Sequence, residues 1–376
     1  MDIEHFVYEN KTEHACAMAQ KILANPWFLA QHASIIFLDI IGLILMALFF
    51  LLLFRNRRLR ALHPNIRALF LNITFLIAFR TTWTLMRSAS NIYLHVRART
   101  PCDYMVTFSY CLFETGVTRM AYYPIVVNFA VITVERIYAS VRYHHYEHRN
   151  LLACRIIAFV IIYLPMFYNI AVYIKAAIEI RHSNTRYVAY CSSVVTDAII
   201  PENPDFSSGV AIFMAVTVFL TLVAFIGMRF YNWKLRGLIK THKRRHTLTA
   251  RFQVEENYLT TEFVIPIAFT FAILNLVPSV SFYFKNNITS SFDDEQLAFA
   301  IYKELTSLWV PIFSVAFPVI AIYKGQKHFH MLRDLFKRNM TTSVQAITPV
   351  GLAGFKNSGD DYFVVFNNMW KSAPKK

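Results

Sequence analysis

Seven apolar blocks, each long enough to cross a bilayer, constrain this chain more than any other feature. They run from about Ala33 to Phe54, Ala68 to Met86, Leu112 to Ser140, Ala153 to Ile174, Gly209 to Phe230, Leu259 to Phe284 and Ala298 to Tyr323. A hydrocarbon core about 30 Å thick takes about 20 residues at the α-helical rise, and a lone helix can stand there because it satisfies its own backbone. The composition agrees, since 56% of the 376 residues are hydrophobic and 16% charged, where a soluble domain carries about 25% charged residues. The fold class expected is an all-α membrane protein, a seven-transmembrane helix bundle.

The net charge of +15 raises the question of a nucleic-acid partner, which the placement of the charges answers. Arg55, Arg57, Arg58 and Arg60 follow the first block, Arg142, Arg149 and Arg155 the third, and Lys234 through Arg251 the fifth, whereas Asp197, Glu202, Asp205, Asp293, Asp294 and Glu295 fill the alternate loops. Positive loops face the cytoplasm, so the N-terminus is expected outside and the C-terminus inside, with membrane lipids and no nucleic acid as partners. Met1 to Glu13 holds four acids and no basic, apolar leader, so the first span is expected to target the chain. Asn10-Lys11-Thr12 and Asn287-Ile288-Thr289 then fall outside, making Asn10 and Asn287 candidate glycosylation sites. The domain plan is an extracellular segment 1–32, a bundle 33–323, an amphipathic cytoplasmic helix 324–338 and a flexible tail 339–376. In that amphipathic helix Phe329, Leu332, Leu335 and Phe336 form a stripe flanked by Lys327, Arg333, Lys337 and Arg338, a pattern that lies along the inner leaflet.

Charged side chains inside a span are costly in lipid and face the bundle or a wet cavity. Glu114, Thr118, Arg119 and Tyr122 recur at helical spacing below Cys111, so they share a face of span three, with Arg119 about 12 Å below that cysteine. Lys303, Glu304 and Ser307 occupy the outer third of span seven, and Ser279, Phe282 and Tyr283 the outer part of span six. Polar groups set in aromatic walls make a candidate ligand pocket. The structural alternative is that Arg119 pairs with Glu114 or Asp39 as glue between helices. His144, His145 and His148 with Glu147 read as a basic membrane-facing loop, not a metal centre, because they make no closed tetrahedral set. No nucleophile with a base and no nucleotide loop is visible, so neither enzymatic activity nor a cofactor is expected.

At the inner end of span three, Glu135-Arg136-Ile137-Tyr138 looks like the acid-Arg-hydrophobic signature of G-protein-coupled receptors, in which an arginine is held by its neighbour and released when helices move. It stands in an ordered series: Cys16-Ala17-Met18, Asn25-Pro26-Trp27-Phe28, Pro101-Cys102-Asp103, Cys111, Tyr146-Glu147, Arg251-Phe252-Gln253, Glu256-Asn257 and Phe317-Pro318. That series resembles the nematode serpentine chemoreceptors, within their Sra superfamily most closely the class alpha-beta (Srab) members, over nearly the whole chain up to the tail. The resemblance implies a chemosensory G-protein-coupled receptor in the plasma membrane of sensory cilia. Its expected partners are an external small-molecule or peptide ligand, a heterotrimeric G protein and, as a further candidate, a second receptor copy in a dimer. Glu135, Arg136, Tyr138 and the basic run Lys243-Arg244-Arg245 would face the G protein.

Receptors of this class usually tie the top of the third helix to the second extracellular loop. Cys111 lies about 38 Å along the helix from Arg136 and Cys102 about 51 Å, so the resemblance implies Cys111 bonded to Cys191, with Cys16 to Cys102 as a second bridge and Cys154 as a reduced thiol. The pattern departs from the wider rhodopsin-like one: span seven carries Phe317-Pro318 and Tyr323, span six Asn275-Leu276-Val277-Pro278, and span two no acid. The rival readings, a seven-helix ligand-gated channel and a transporter, are disfavoured by the loop charges and by the absence of inverted repeats. An epitope at the C-terminus should stay hidden from antibody on intact cells and become accessible on permeabilisation; labelling of intact cells would reverse the sidedness.

Overall fold

The structure, a computed structural model, describes residues 7–55, 64–142, 151–181, 186–192, 206–241, 248–283 and 294–324, with side chains in part of the helix ends left out. Among them, seven helical spans are long and apolar enough to cross a membrane. A short helix α1 (Glu13–Leu23) leads into α2 (Pro26–Arg55), followed by α3 (Pro64–Arg97), α4 (Phe108–Val141), α5 (Leu151–Arg181), α6 (Phe206–Thr241) and α7 (Leu248–Tyr283). The last span, Glu295–Lys324, consists of α8 (Glu295–Ser307) and α9 (309–324). Pro311 can give no amide to the carbonyl of Ser307, and the chain passes a turn at Leu308 between the two pieces.

The junction of α1 and α2 follows from local chemistry. Thr12 caps α1 by accepting from the Ala15 amide, and Ala15, Cys16, Ala19, Ile22 and Leu23 form its buried stripe. Asn25 then accepts from the Trp27 amide at 2.9 Å, while Pro26 at the first turn starts α2 with an imide that needs no acceptor. The first span therefore begins before Ala33, and much of segment 1–32 is helical. The other spans also outrun their apolar blocks. Helix α3 continues past Met86 to Arg97, and α6 carries the basic stretch from Lys234 to Thr241 as helix, not loop. Lys243, Arg244, Arg245, Asn287, His144, His145, His148 and the segments 325–338 and 339–376 lie outside the described residues.

Helix α4 is the hub and packs on α3, α5, α6 and α7. In the apolar windows of α4 and α7, 56% of residues are buried, against 17% in α5, whose Ile157, Ile161, Leu164 and Phe167 are exposed as a lipid-facing side chain must be. Rings close the middle of the bundle: Phe129 stacks on Phe271 with centroids 4.3 Å apart, Phe271 meets Phe313 at 5.2 Å, and Phe313 meets Phe317 at 5.8 Å. Phe317 reaches Phe49 of α2 at 5.6 Å.

One end of the bundle carries a capping module. Strands β1 (Val7–Tyr8), β2 (Val106–Thr107) and β3 (Tyr187–Val188) form a three-stranded sheet ordered β1-β3-β2, antiparallel throughout. Disulfides join Cys16 to Cys102 and Cys111 to Cys191. Pro101 opens a single turn, Pro101–Tyr104, and Asp103 Oδ2 accepts from the amides of Thr100 at 2.8 Å and Arg99 at 3.0 Å. Those amide donors hold its carboxyl below the usual range. Beneath the sheet Ile22, Phe28, Tyr104, Phe108, Val188 and Phe299 share one apolar cluster.

Small residues allow α2 and α9 to approach closely. A Cβ on Gly42 of α2 would collide with the Ser314 hydroxyl and stand 3.2 Å from its carbonyl carbon, whereas Gly227 has nothing within 4 Å. Helices in lipid rely on such close approach. Gly42→Leu should therefore lower the melting temperature of the detergent-solubilised protein, at a cost of about 1–3 kcal/mol, while Gly227→Leu leaves it unchanged. Equal melting of the two variants would discount the contact.

Candidate functional site

An arginine that the apolar blocks place just outside span two organises the outer half of the bundle. Arg87 of α3 lies inward, its Nε 2.8 Å from Glu114 Oε1 of α4 and one Nη2 paired with Glu304 of α8. The same Nη2 donates to the Cys191 carbonyl at 3.3 Å, so the Cys111–Cys191 disulfide fixes one of its acceptors. Tyr190 donates to Glu304 Oε1 at 2.8 Å, and burial pushes that phenol well above its ordinary range. The carboxylates are 7% and 0% exposed, so this is a desolvated triad of one cation and two acids.

The triad sits in a wider polar layer. His32 of α2 faces Ser88 at 3.2 Å through Nδ1 and Asn91 at 3.1 Å through Nε2. Since the Asn91 amide donates, Nδ1 carries the imidazole proton and the ring is satisfied while neutral. Trp83 donates to the Glu114 carbonyl at 3.1 Å, and Arg80 to the Thr118 carbonyl. Both Asp39 carboxylate oxygens are buried and lack a hydrogen-bond donor among the described residues.

The residues read from the sequence are distributed as follows. Glu114 and Glu304 converge, on Arg87 and not on Arg119. Thr118 bonds back to the Glu114 carbonyl at 2.9 Å, Ser307 to the Lys303 carbonyl at 2.9 Å, and Arg119 and Lys303 are half-buried. Tyr122 donates to Asn275 of α7 at 3.1 Å and packs on Trp309 at 5.5 Å. Ser279 and Tyr283 fall on α7, but their side chains are outside the described residues. Asn10 is exposed beside the sheet. Arg87 and His32 were missed because hydropathy alone ends span two at Met86 and starts span one at Ala33. Polar residues at helical spacing, Arg80, Thr84, Arg87, Ser88 and Asn91, were the available signal of an inward face.

At the opposite end of α4 stands a second network. Arg136 is wholly buried, its Nη2 2.6 Å from Glu135 Oε1 and its Nη1 3.4 Å from Asn257 Oδ1 on α7. Asn257 in turn donates to the Ala139 carbonyl at 2.8 Å, stitching α7 to the last turn of α4. Arg236 of α6 pairs with Glu255 of α7 at 2.7 Å and covers the Tyr258 ring at 4.5 Å. Tyr138 is half-buried next to this network.

Arg87→Met leaves two buried acids without their cation and should cost about 3–5 kcal/mol, the usual penalty for breaking such a pair. Adding Glu114→Gln and Glu304→Gln should recover much of the loss. Thermal denaturation of the purified variants measures both, and a triple variant no more stable than the single one would deny that charge is the cause.

The comparisons with known proteins fit this arrangement. The chain is similar to a Caenorhabditis elegans protein described as serpentine receptor class alpha/beta-14, 26% identical over 328 residues that cover 86% of this chain and 81% of that one. It is also similar to serpentine receptor class beta-16 of the same organism, 24% identical over 317 residues, 82% and 83% of the two chains. The family model for the serpentine type 7TM GPCR receptor class ab chemoreceptors matches residues 13–371, nearly the full length, and the chain belongs to that family.

Proposed function

We propose that this integral membrane receptor sits in the plasma membrane, in the cilia of sensory neurons, binds an external small molecule or peptide, and activates a heterotrimeric G protein. One observation carries the reading: a single helix, α4, holds a buried charged network near each end, Glu114 with Arg87 and Glu304 and Arg136 with Glu135 and Asn257. The ring layer of Phe129, Phe271 and Phe313 lies between them. A cue bound among spans three, five, six and seven changes how α4, α7 and α8 pack at the outer network. The aromatic layer transmits the change, since packed cores move between discrete arrangements. At the inner face Arg136 then leaves Glu135 and Asn257 and meets the G protein. Lys243, Arg244 and Arg245 supply positive charge to the same surface and to anionic inner-leaflet lipids, and the segment 324–338 lies along that leaflet.

A ligand shifts such an equilibrium only by its differential affinity for the two states, so variants that weaken the inner network act without any ligand. Glu135→Gln and Asn257→Ala should raise basal nucleotide exchange on a co-expressed G protein, by a factor of about 5 or more, and Arg136→Ala should abolish it. Basal exchange unaltered in all three removes the network from coupling. For the outer site, Arg119→Ala should eliminate the ligand response at unchanged surface expression; an unshifted dose response excludes Arg119 from the pocket.

A further inference from the structure

Two buried polar side chains at the inner end of the bundle have no hydrogen-bond partner among the described residues. Gln253 closes the Arg251-Phe252-Gln253 run of α7, is 1% exposed, and leaves both its amide nitrogen and its amide oxygen unmatched. Ser140, in the last turn of α4, is 2% exposed, and its hydroxyl is unmatched as well. Other buried hydroxyls of α4 bond back along their own helix, Thr115 to the Cys111 carbonyl and Thr133 to the Phe129 carbonyl, each at 2.8 Å. Ser140 makes no such bond. A buried polar atom without a partner raises the free energy of the arrangement that contains it.

Helical spacing puts the two side chains at one level. Ser140 follows Arg136 by four residues on α4, which descends toward the cytoplasm, and Gln253 precedes Asn257 by four on α7, which climbs away from it. The helices meet at this seam, because Arg136 Nη1 stands 3.4 Å from Asn257 Oδ1 and Asn257 donates to the Ala139 carbonyl at 2.8 Å. Ser140 and Gln253 therefore lie one turn, about 6 Å, inward of the present Arg136 contact. The Gln253 amide oxygen and the Ser140 oxygen are acceptors, and a guanidinium carries five N–H donors on a long side chain. We infer that Ser140 and Gln253 form the second seat of Arg136, which takes the guanidinium when Glu135 and Asn257 release it. The hydrogen bonds made there offset the loss of the present ones, so the arginine moves between two sets of acceptors and is never bare in the core. The inference rests on the reading of Arg136 as the group that moves.

The test begins with melting of the full purified chain, without a G protein. Gln253→Met, close to the native side chain in length, removes the unmatched amide and should leave the melting temperature unchanged or raise it. In a chain that also carries Glu135→Gln and Asn257→Ala, which weaken the present seat, the same substitution should lower the melting temperature by about 2 °C or more. Ser140→Ala should repeat the pattern with a smaller effect. If Gln253→Met costs no more in that background than in the parent, these atoms serve a buried water or the packing alone, and the inference fails. Nucleotide exchange on a co-expressed G protein is read in parallel. Gln253→Met should lower it about tenfold at full surface expression, and Gln253→Glu, which keeps an acceptor oxygen, should retain it. Exchange that requires Arg136 yet ignores Gln253→Met sinks the inference alone. The background-dependent loss of melting temperature, with exchange indifferent to Arg136→Ala, supports the second seat and sinks the coupling reading.

Discussion

One guanidinium placed where water is scarce sets the terms for the outer half of this molecule. Arg87 reaches α4 through Glu114, α8 through Glu304 and the loop after α5 through the Cys191 carbonyl. None of these partners can find a replacement in hydrocarbon, so the three segments are bound to a common point. The gain is geometric more than energetic, because desolvating three charges consumes most of their attraction. What remains is a unique register of α3, α4 and α8. The aromatic layer and the Gly42–Ser314 contact extend that register toward the other end of the bundle.

Much of this architecture was legible in the residues. Length and apolarity announce each span, because a bilayer admits few alternatives, and the alternation of Arg58-rich and Asp205-rich loops orders them. Glu135-Arg136 was visible as a pair because its members are adjacent, and Asn25-Pro26 carries its helix stop and start within two residues. The partners across space were not visible. Nothing local tells Glu114 that its cation is Arg87 and not Arg119, five residues away on its own helix; only the rotation of α3 against α4 decides it. Helix ends were misjudged for a related reason. Hydropathy reports where lipid ends, whereas Lys234, Arg236 and their neighbours favour helix and carry α6 on to Thr241. The two-residue strands of the capping sheet are held by the disulfides and by α1, so they leave no periodic trace.

The division of span seven separates two kinds of contact. Helix α8 bears Lys303 and Glu304, and α9 bears Trp309, Pro311, Phe313 and Phe317, with the turn at Leu308 between them. The upper piece is tied to charged partners and the lower to rings. A change in the charge contacts of α8 can therefore tilt it about the turn, while α9 stays seated on α2 through Phe317 and Ser314.

The two cystine bridges also set an order of events during synthesis. A ribosome delivers the chain from its N-terminus, so Cys16 and Cys102 meet in the secretory lumen as soon as two spans are threaded. Cys111 has to wait until two further spans bring Cys191 across. In that interval it is a lone thiol beside a finished bridge, open to exchange. Once both bridges are closed, Cys16 and Cys111 lie with Met105 and Phe108 in one apolar cluster, so the early and the late bridge end in the same dry layer.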